Sequence, residues 1–226
     1  MSLPVTCVIP AFNEAPRIAA VLRSVVGHPA IAEVVVVDDG SSDGTAEVTR
    51  GIKGARLIAL PQNRGKSWAV SVGIEEARHD HILLLDSDLI GLGPAALDAL
   101  IAPVREGRSD VSISLRGNAP WPWRAIGLDY ISGERVVPKR FLGTPGALRA
   151  LPRFGLEVDM NRRLIAERAR IAVVRWPEVA SPWKGAKRGR WQGIRADARM
   201  LGDMFRTIPP YQAVGQIWAM RRLRAI

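Results

Sequence analysis

Short unbroken apolar runs alternate along the chain with longer stretches in which apolar residues recur every three or four positions. The runs "VTCVIPAF" (Val5 to Phe12), "IAEVVVVDD", "ARLIAL", "HDHILLLDSD" and "DVSISLR" are of strand length and mostly apolar at successive positions, which predicts buried strands. Between the first two, Ile18, Val21, Leu22 and Val25 recur at helical spacing, with Asn13 placed to cap that helix and Pro16 in its first turn. "GSSDGTAEVTR", "RGKSWAVSVGIEEAR" and "GPAALDALIAPVREG", the last opened by Pro94, supply further helices. Continuous apolar strands separated by helices predict an α/β fold with a parallel sheet covered on both faces.

Ligands of such sheets sit beyond the carboxyl ends of the strands. The chain delivers polar groups there: Asn13 and Glu14 after the first strand, Asp38 and Asp39 after the second, Asp86 and Asp88 after the fourth. Past about Gly117 the rhythm breaks. "NAPWPWRAIGLDY" fits a loop or short amphipathic helix, "ISGERVVPK" a strand, and "FGLEVDMNRRLIAERA" a helix-forming stretch. "RIAVVRWPEV" reads as a late strand and "ADARMLGDMF" as the start of a terminal helix.

Composition narrows the classes. Among 226 residues, 47% are apolar and 24% charged, which fits a soluble globular domain and excludes a disordered chain. Cys7, the single cysteine, excludes an internal disulfide and has no partners for a zinc site. No leader pattern opens the chain and no run approaches a membrane span, so the expected location is cytoplasmic. The net charge of +10 calls for either a solvated basic surface or a polyanionic partner. It concentrates between Val179 and Ala196, where Lys184, Lys187, Arg188, Arg190 and Arg195 occur without an acid. This segment is expected to close over a diphosphate or to bind an acceptor phosphate; a solvated tail and contact with anionic lipid are the alternatives.

Asp86 and Asp88 stand two positions apart, so extended backbone would turn both carboxylates to one side. Two such neighbours raise each other's pKa unless a cation lies between them. Mg or Mn suits a pair of carboxylates completed by phosphate oxygens and water. In "VVVVDDGSSDGT" an acid after a parallel strand is placed to hydrogen-bond a ribose or base edge, while Ser41, Ser42 or Asp43 can cap the next helix. No G-x-G-x-x-G follows the first strand, and no Walker loop occurs, which disfavours nicotinamide and P-loop chemistry.

"VIPAFNEA", "VVVVDDGSSDGT", "QNRGKSWAV" and "ILLLDSDL", in this order, resemble the family 2 glycosyltransferases of GT-A fold. The resemblance implies a Rossmann-like, mostly parallel central sheet flanked by helices. It divides a single domain into a nucleotide-sugar-binding half, 1–117, and an acceptor-side elaboration, 118–226. It implies inversion at the anomeric carbon, a UDP- or GDP-sugar donor, and a divalent metal on Asp86 and Asp88 with Ser87 between them. By the same resemblance Pro10, Ala11 and Glu14 line the nucleoside pocket, Asp39 with Asp38 beside it reads base or ribose, and Arg64 and Lys66 flank the nucleotide. Lys184 and Lys187 are expected on the diphosphate side.

The later region is similar to the polyprenyl-phosphate sugar transferases and their soluble bacterial relatives, through "ISGERVVPK" and "FGLEVDMN". Some dolichyl-phosphate mannose synthases carry a further polar ligand two residues past D-x-D, where this chain has Ile90. A hydroxyl acceptor needs a base, for which Glu157 and Asp159 are the candidates, with Asp129 behind them. A polyprenyl-phosphate or other phosphate acceptor needs none, and Arg135 with the basic segment then becomes its clamp. Trp121, Trp123 and Phe141 suit an interfacial wedge against an anionic membrane, a sugar-stacking platform or plain core. Two other classes stay open on the residues: a nucleotidyltransferase, and a basic nucleic-acid module. The acidic strand-end rim argues against nucleic acid as a partner.

Overall fold

The structure, a computed structural model, describes residues 3–152, 154–182, 202 and 207–225. Seven strands form one sheet: β1 (Val5–Ala11), β2 (Ile31–Asp38), β3 (Ala55–Ala59), β4 (His81–Leu84), β5 (Val111–Arg116), β6 (Arg135–Pro138) and β7 (Ile171–Trp176). Their order is β3-β2-β1-β4-β6-β5-β7. All pairings are parallel except those of β6, which runs against both β4 and β5. Among the described residues the α-helices are α1 (Ile18–Val25), α2 (Thr45–Arg50), α3 (Lys66–Glu76), α4 (Pro94–Arg105), α5 (Trp121–Ile126), α6 (Pro145–Arg149), α7 (Gly155–Ala166) and α8 (Pro210–Arg222).

Burial on both faces explains why the strands are apolar at successive positions. In β4, Ile82 and Leu84 join the core shared with α3 and α7. Leu83 and the following Leu85 join the opposite core, with Ile18 and Leu22 of α1 and Leu97 and Leu100 of α4. One strand therefore feeds two layers, because side chains alternate at period two. Cys7 is buried in the second layer, where loss of water pushes its thiol pKa far up and leaves it inert.

Two expectations are corrected here, the cap at Asn13 and the extended backbone at the D-x-D residues. Asn13 does not cap α1, which begins only at Ile18 after Arg17. It adopts φ 55° and bridges loops instead: its N–H donates to Ser41 Oγ at 2.9 Å and its Oδ1 accepts from the Ser42 N–H at 3.0 Å. β4 ends at Leu84, so the D-x-D residues follow in a turn and not in extended strand. "ISGERVVPK" inserts its strand between β4 and β5, a placement the linear order of the strands does not indicate. Trp123 and Phe141 are core residues, which removes them from any interfacial wedge; Trp121 alone of the three is exposed. Most of "ADARMLGDMF", and all of the basic segment from residue 183 to 201 with Lys184 and Lys187, lie outside the described residues.

Candidate active site at the carboxyl rim of the sheet

The carboxyl ends of β1, β2, β4, β5 and β7 meet at one rim, and the antiparallel β6 brings its amino end to the same place. This reversal is why the segment before Arg135 faces the D-x-D turn. Lys66 opens α3 and reaches both: its Nζ lies 2.8 Å from Asp86 Oδ1 and 3.2 Å from Glu157 Oε1 on α7. Burial works against the ammonium, but Asp86 and Glu157 more than compensate and raise its pKa above that of an ordinary lysine. Gly133 roofs the pair. A Cβ there would stand 2.7 Å from Lys66 Nζ and 2.9 and 3.1 Å from the Asp86 carboxylate oxygens.

Asp88 follows in the turn, and burial, then the charges of Asp86 and Glu14, raise its pKa. Glu14 is held at 2.7 Å by Arg17 Nε, and its backbone N–H donates to Thr45 Oγ1 at 2.8 Å. Three carboxylates thus crowd one edge of the rim with Lys66 and Arg17 as nearby cations. A hard divalent cation fits this donor set and would relieve the crowding at Asp88. Among the described residues no three His, Cys, Asp or Glu side chains converge as a metal site. Asp86 and Asp88 are the two carboxylates that would hold such an ion, its remaining positions being open to water, a diphosphate or a later residue. Ser87, between them, is buried.

Asp38 and Asp39 end β2 and are both buried. The Asp38 carboxylate accepts from Ser41 Oγ. Asp39 accepts the backbone N–H groups of Arg64 at 2.8 Å and Gly65 at 2.7 Å. It holds the entry to α3, and hence Lys66, in place. Pro10 and Ala11 lie beside these residues, in register with Val37 and Asp38. The guanidinium of Arg64 lies on the Trp68 ring at 4.5 Å.

Two expected roles are overturned. Arg135 is fully buried, and its guanidinium donates to Ser132 O (2.7 Å), Asn161 Oδ1 (2.6 Å) and Tyr130 O (3.1 Å). It braces the loop before β6 and cannot touch an acceptor, because an antiparallel strand alternates its side chains and this one points into the protein. Asp159 pairs with Arg163 at 2.8 Å. It sits about 200° around α7 from Glu157 and is not brought to Lys66. Glu157 is at the site, 2% exposed, with Oε2 lacking a hydrogen-bond partner among the described residues.

Asp129, the third candidate base, lies in a second charged group with Arg116 and Glu134, which the sequence did not single out. Arg116, at the end of β5, stands 3.3 Å from Glu134 Oε1 and 3.7 Å from Asp129 Oδ2. Glu134 is 0% exposed and also accepts from Ser114 Oγ (2.8 Å) and Ser132 Oγ (2.9 Å). Asp129 is 1% exposed; its pKa is pushed up to about 6 by burial, against the pull of Arg116 and with Glu134 adding. Arg116 itself also feels Asp86 and Asp88. The signal was present in the chain, since Arg116 closes the apolar run "DVSISL" just as Asp38 and Asp86 close theirs. Arg116 also binds Ser181 Oγ, and Asn118 donates to Ser181 O at 2.8 Å, so residues 177–182 cross the rim just before the basic segment begins.

Residues 6–155 match the sequence profile of glycosyl transferase family 2, well over half of the chain. The chain belongs to glycosyl transferase family 2. The match falls on the strand-end motifs themselves and displaces the nucleotidyltransferase and nucleic-acid-module readings. Among its relatives, the uncharacterized glycosyltransferase YaiP of Escherichia coli K12 is 36% identical over 152 residues, 62% of this chain and 38% of that protein. Undecaprenyl-phosphate 4-deoxy-4-formamido-L-arabinose transferase of Aeromonas hydrophila is 32% identical over 128 residues, 53% of this chain and 39% of its own. The chain thus spans less than half the length of these relatives. Glucosyl-3-phosphoglycerate synthase of Mycobacterium tuberculosis, solved with Mn2+, UDP and glucosyl-3-phosphoglycerate, shares the fold. It matches with a TM-score of 0.68 over 90% of this chain and 79% of that one, at 21% identity. The family 2 chain is accordingly of GT-A fold.

Proposed function

We propose that this chain carries the site of an inverting glycosyltransferase that moves a sugar from a UDP- or GDP-sugar to the phosphate of a lipid-linked acceptor such as a polyprenyl phosphate. The observation that carries the donor half is the rim itself: Asp86 and Asp88 past β4, Glu14 past β1, and Lys66 at the head of α3. A divalent cation on Asp86 and Asp88, Mg or Mn, would neutralise the departing diphosphate. Mn2+ in the complex of the related synthase supports such an ion.

The chain's own residues do the rest. Asp39 holds the Arg64–Gly65 backbone so that Lys66 opens α3 toward the D-x-D turn, where its ammonium can turn to a phosphate oxygen. Pro10, Ala11, Glu14 and Asp38 line the nucleoside side of the rim. Lys184 and Lys187 are proposed on the diphosphate side; the chain leading to them is tied to the rim through Ser181 and Arg116.

The phosphate acceptor is supported by what the buried carboxylates do. Glu157 is held by Lys66, while Glu134 and Asp129 face Arg116, and none is more than 2% exposed. Their placement suits orienting basic groups better than taking a proton from a hydroxyl. An ionised phosphate needs no such base: its oxygen forms the bond to the anomeric carbon as the bond to the diphosphate breaks on the opposite side. The name of the Aeromonas relative points to the same acceptor class.

The test is calorimetric titration of UDP and GDP with and without Mn2+, together with release of nucleoside diphosphate from the corresponding sugars. The wild type is expected to bind one of them in a metal-dependent manner. Replacing Asp86 and Asp88 together by Asn should abolish the metal-dependent part and slow turnover about a hundredfold or more. Unchanged metal dependence and turnover would overturn the proposal.

A further inference from the structure

Helix α8 presents two different sides. Ala213 and Met220 are buried, and Ile217 packs against the same core, so these residues seat the helix. At ~100° per residue, Tyr211, Val214, Trp218, Arg221 and Arg222 fall in one outward stripe about 100° wide, its centre about 120° around the helix from that seat. Tyr211, Val214 and Trp218 are 74%, 53% and 58% exposed. The guanidinium of Arg221 lies over the Trp218 ring at 5.5 Å, joining the apolar part of the stripe to its basic end. No Asp or Glu occurs from Met204 to Ile226, while Arg206, Arg221, Arg222 and Arg224 do.

We propose that this stripe is a docking surface for an anionic lipid bilayer. Tyr and Trp rings settle at the level of the headgroups, and arginines at the same surface meet their negative charge. The other occupants fit less well. A second copy in an antiparallel two-fold contact would set the basic end of the stripe against the Tyr211 end, where the segment offers no Asp or Glu to meet the arginines. The basic segment at 183–196 carries the same sign of charge as the stripe. Docking would also orient the site: Tyr130, whose hydroxyl donates to Gln216 of α8 at 2.7 Å, lies just before the loop that roofs Lys66 and Asp86.

The surface is separable from the donor chemistry, and its test uses no donor. The full chain is sedimented with vesicles of phosphatidylcholine alone and of phosphatidylcholine with phosphatidylglycerol, at low and high salt. Binding is expected only to the anionic vesicles and to weaken with salt. R221Q/R222Q should lower the partition coefficient about thirtyfold, at roughly fivefold per charge. Y211S/W218S should lower it as well, with metal-dependent nucleotide binding and the melting temperature unchanged in both variants. Three results would overturn the proposal: no binding by the wild type, equal binding by these variants, or a solution dimer that the variants convert to monomer.

Discussion

At Gly133 the free space at the site is less than one methyl group. The side chain that alanine would add meets the ends of Lys66 and Asp86, not backbone, so the fold can yield there by moving those two groups. Gly133→Ala is therefore expected to change the melting temperature little while lowering kcat/KM for the donor at least tenfold, because it displaces the Lys66–Asp86 pair. Equal activity in a donor-hydrolysis assay would show that the pair need not hold its position. The acids were legible because each follows an apolar strand, and Lys66 through the resemblance carried by "QNRGKSWAV". In "SGER" the resemblance pointed to Arg135 and passed over Gly133 and Glu134. Which residue of a strand faces the rim depends on its direction, and nothing in four residues announces that β6 runs backwards.

Among the elements, α3 matters most, since it crosses β1 and carries Lys66 at its first position. It lies close to the sheet at Gly73, where an added Cβ would run into Val8 Cγ1 and approach Val37 Cγ2 at 3.3 Å. Both valines are fully buried in core strands. Gly73→Ala should cost about 1–3 kcal/mol in urea unfolding; a loss below 0.5 kcal/mol would mean that the helix can move outward freely. The amphipathic spacing of α1 and the Pro94 start of α4 were legible in the chain and appear in the fold. The cap assigned to Asn13 was not correct, because its hydrogen bonds go to a loop 28 and 29 residues away.

For the molecule as a whole, the buried Arg116–Asp129–Glu134 group links stability to pH. The folded state keeps the Asp129 proton up to about pH 6, whereas the unfolded chain releases it near the ordinary aspartate value of 3.8. Between those values the folded form binds more proton, so this group's contribution falls as pH rises through the window and is level above it. Measured by urea unfolding at pH 4.5 and 7, the wild type should lose about 2 kcal/mol more than Asp129→Asn over that interval. Equal losses would place the Asp129 pKa near its ordinary value. The sequence by itself determined the alternation of strand and helix, the acidic strand ends and the family, because these are set by local periodicity and by residues adjacent in the chain. Only the tertiary structure decided which side chains share the rim: that Lys66 spans Asp86 and Glu157, that Arg135 is sealed inside, and that Arg116 faces Asp129 and Glu134. Those contacts join segments far apart in the chain, and they follow from the insertion of an antiparallel strand between two parallel ones, which no local pattern encodes.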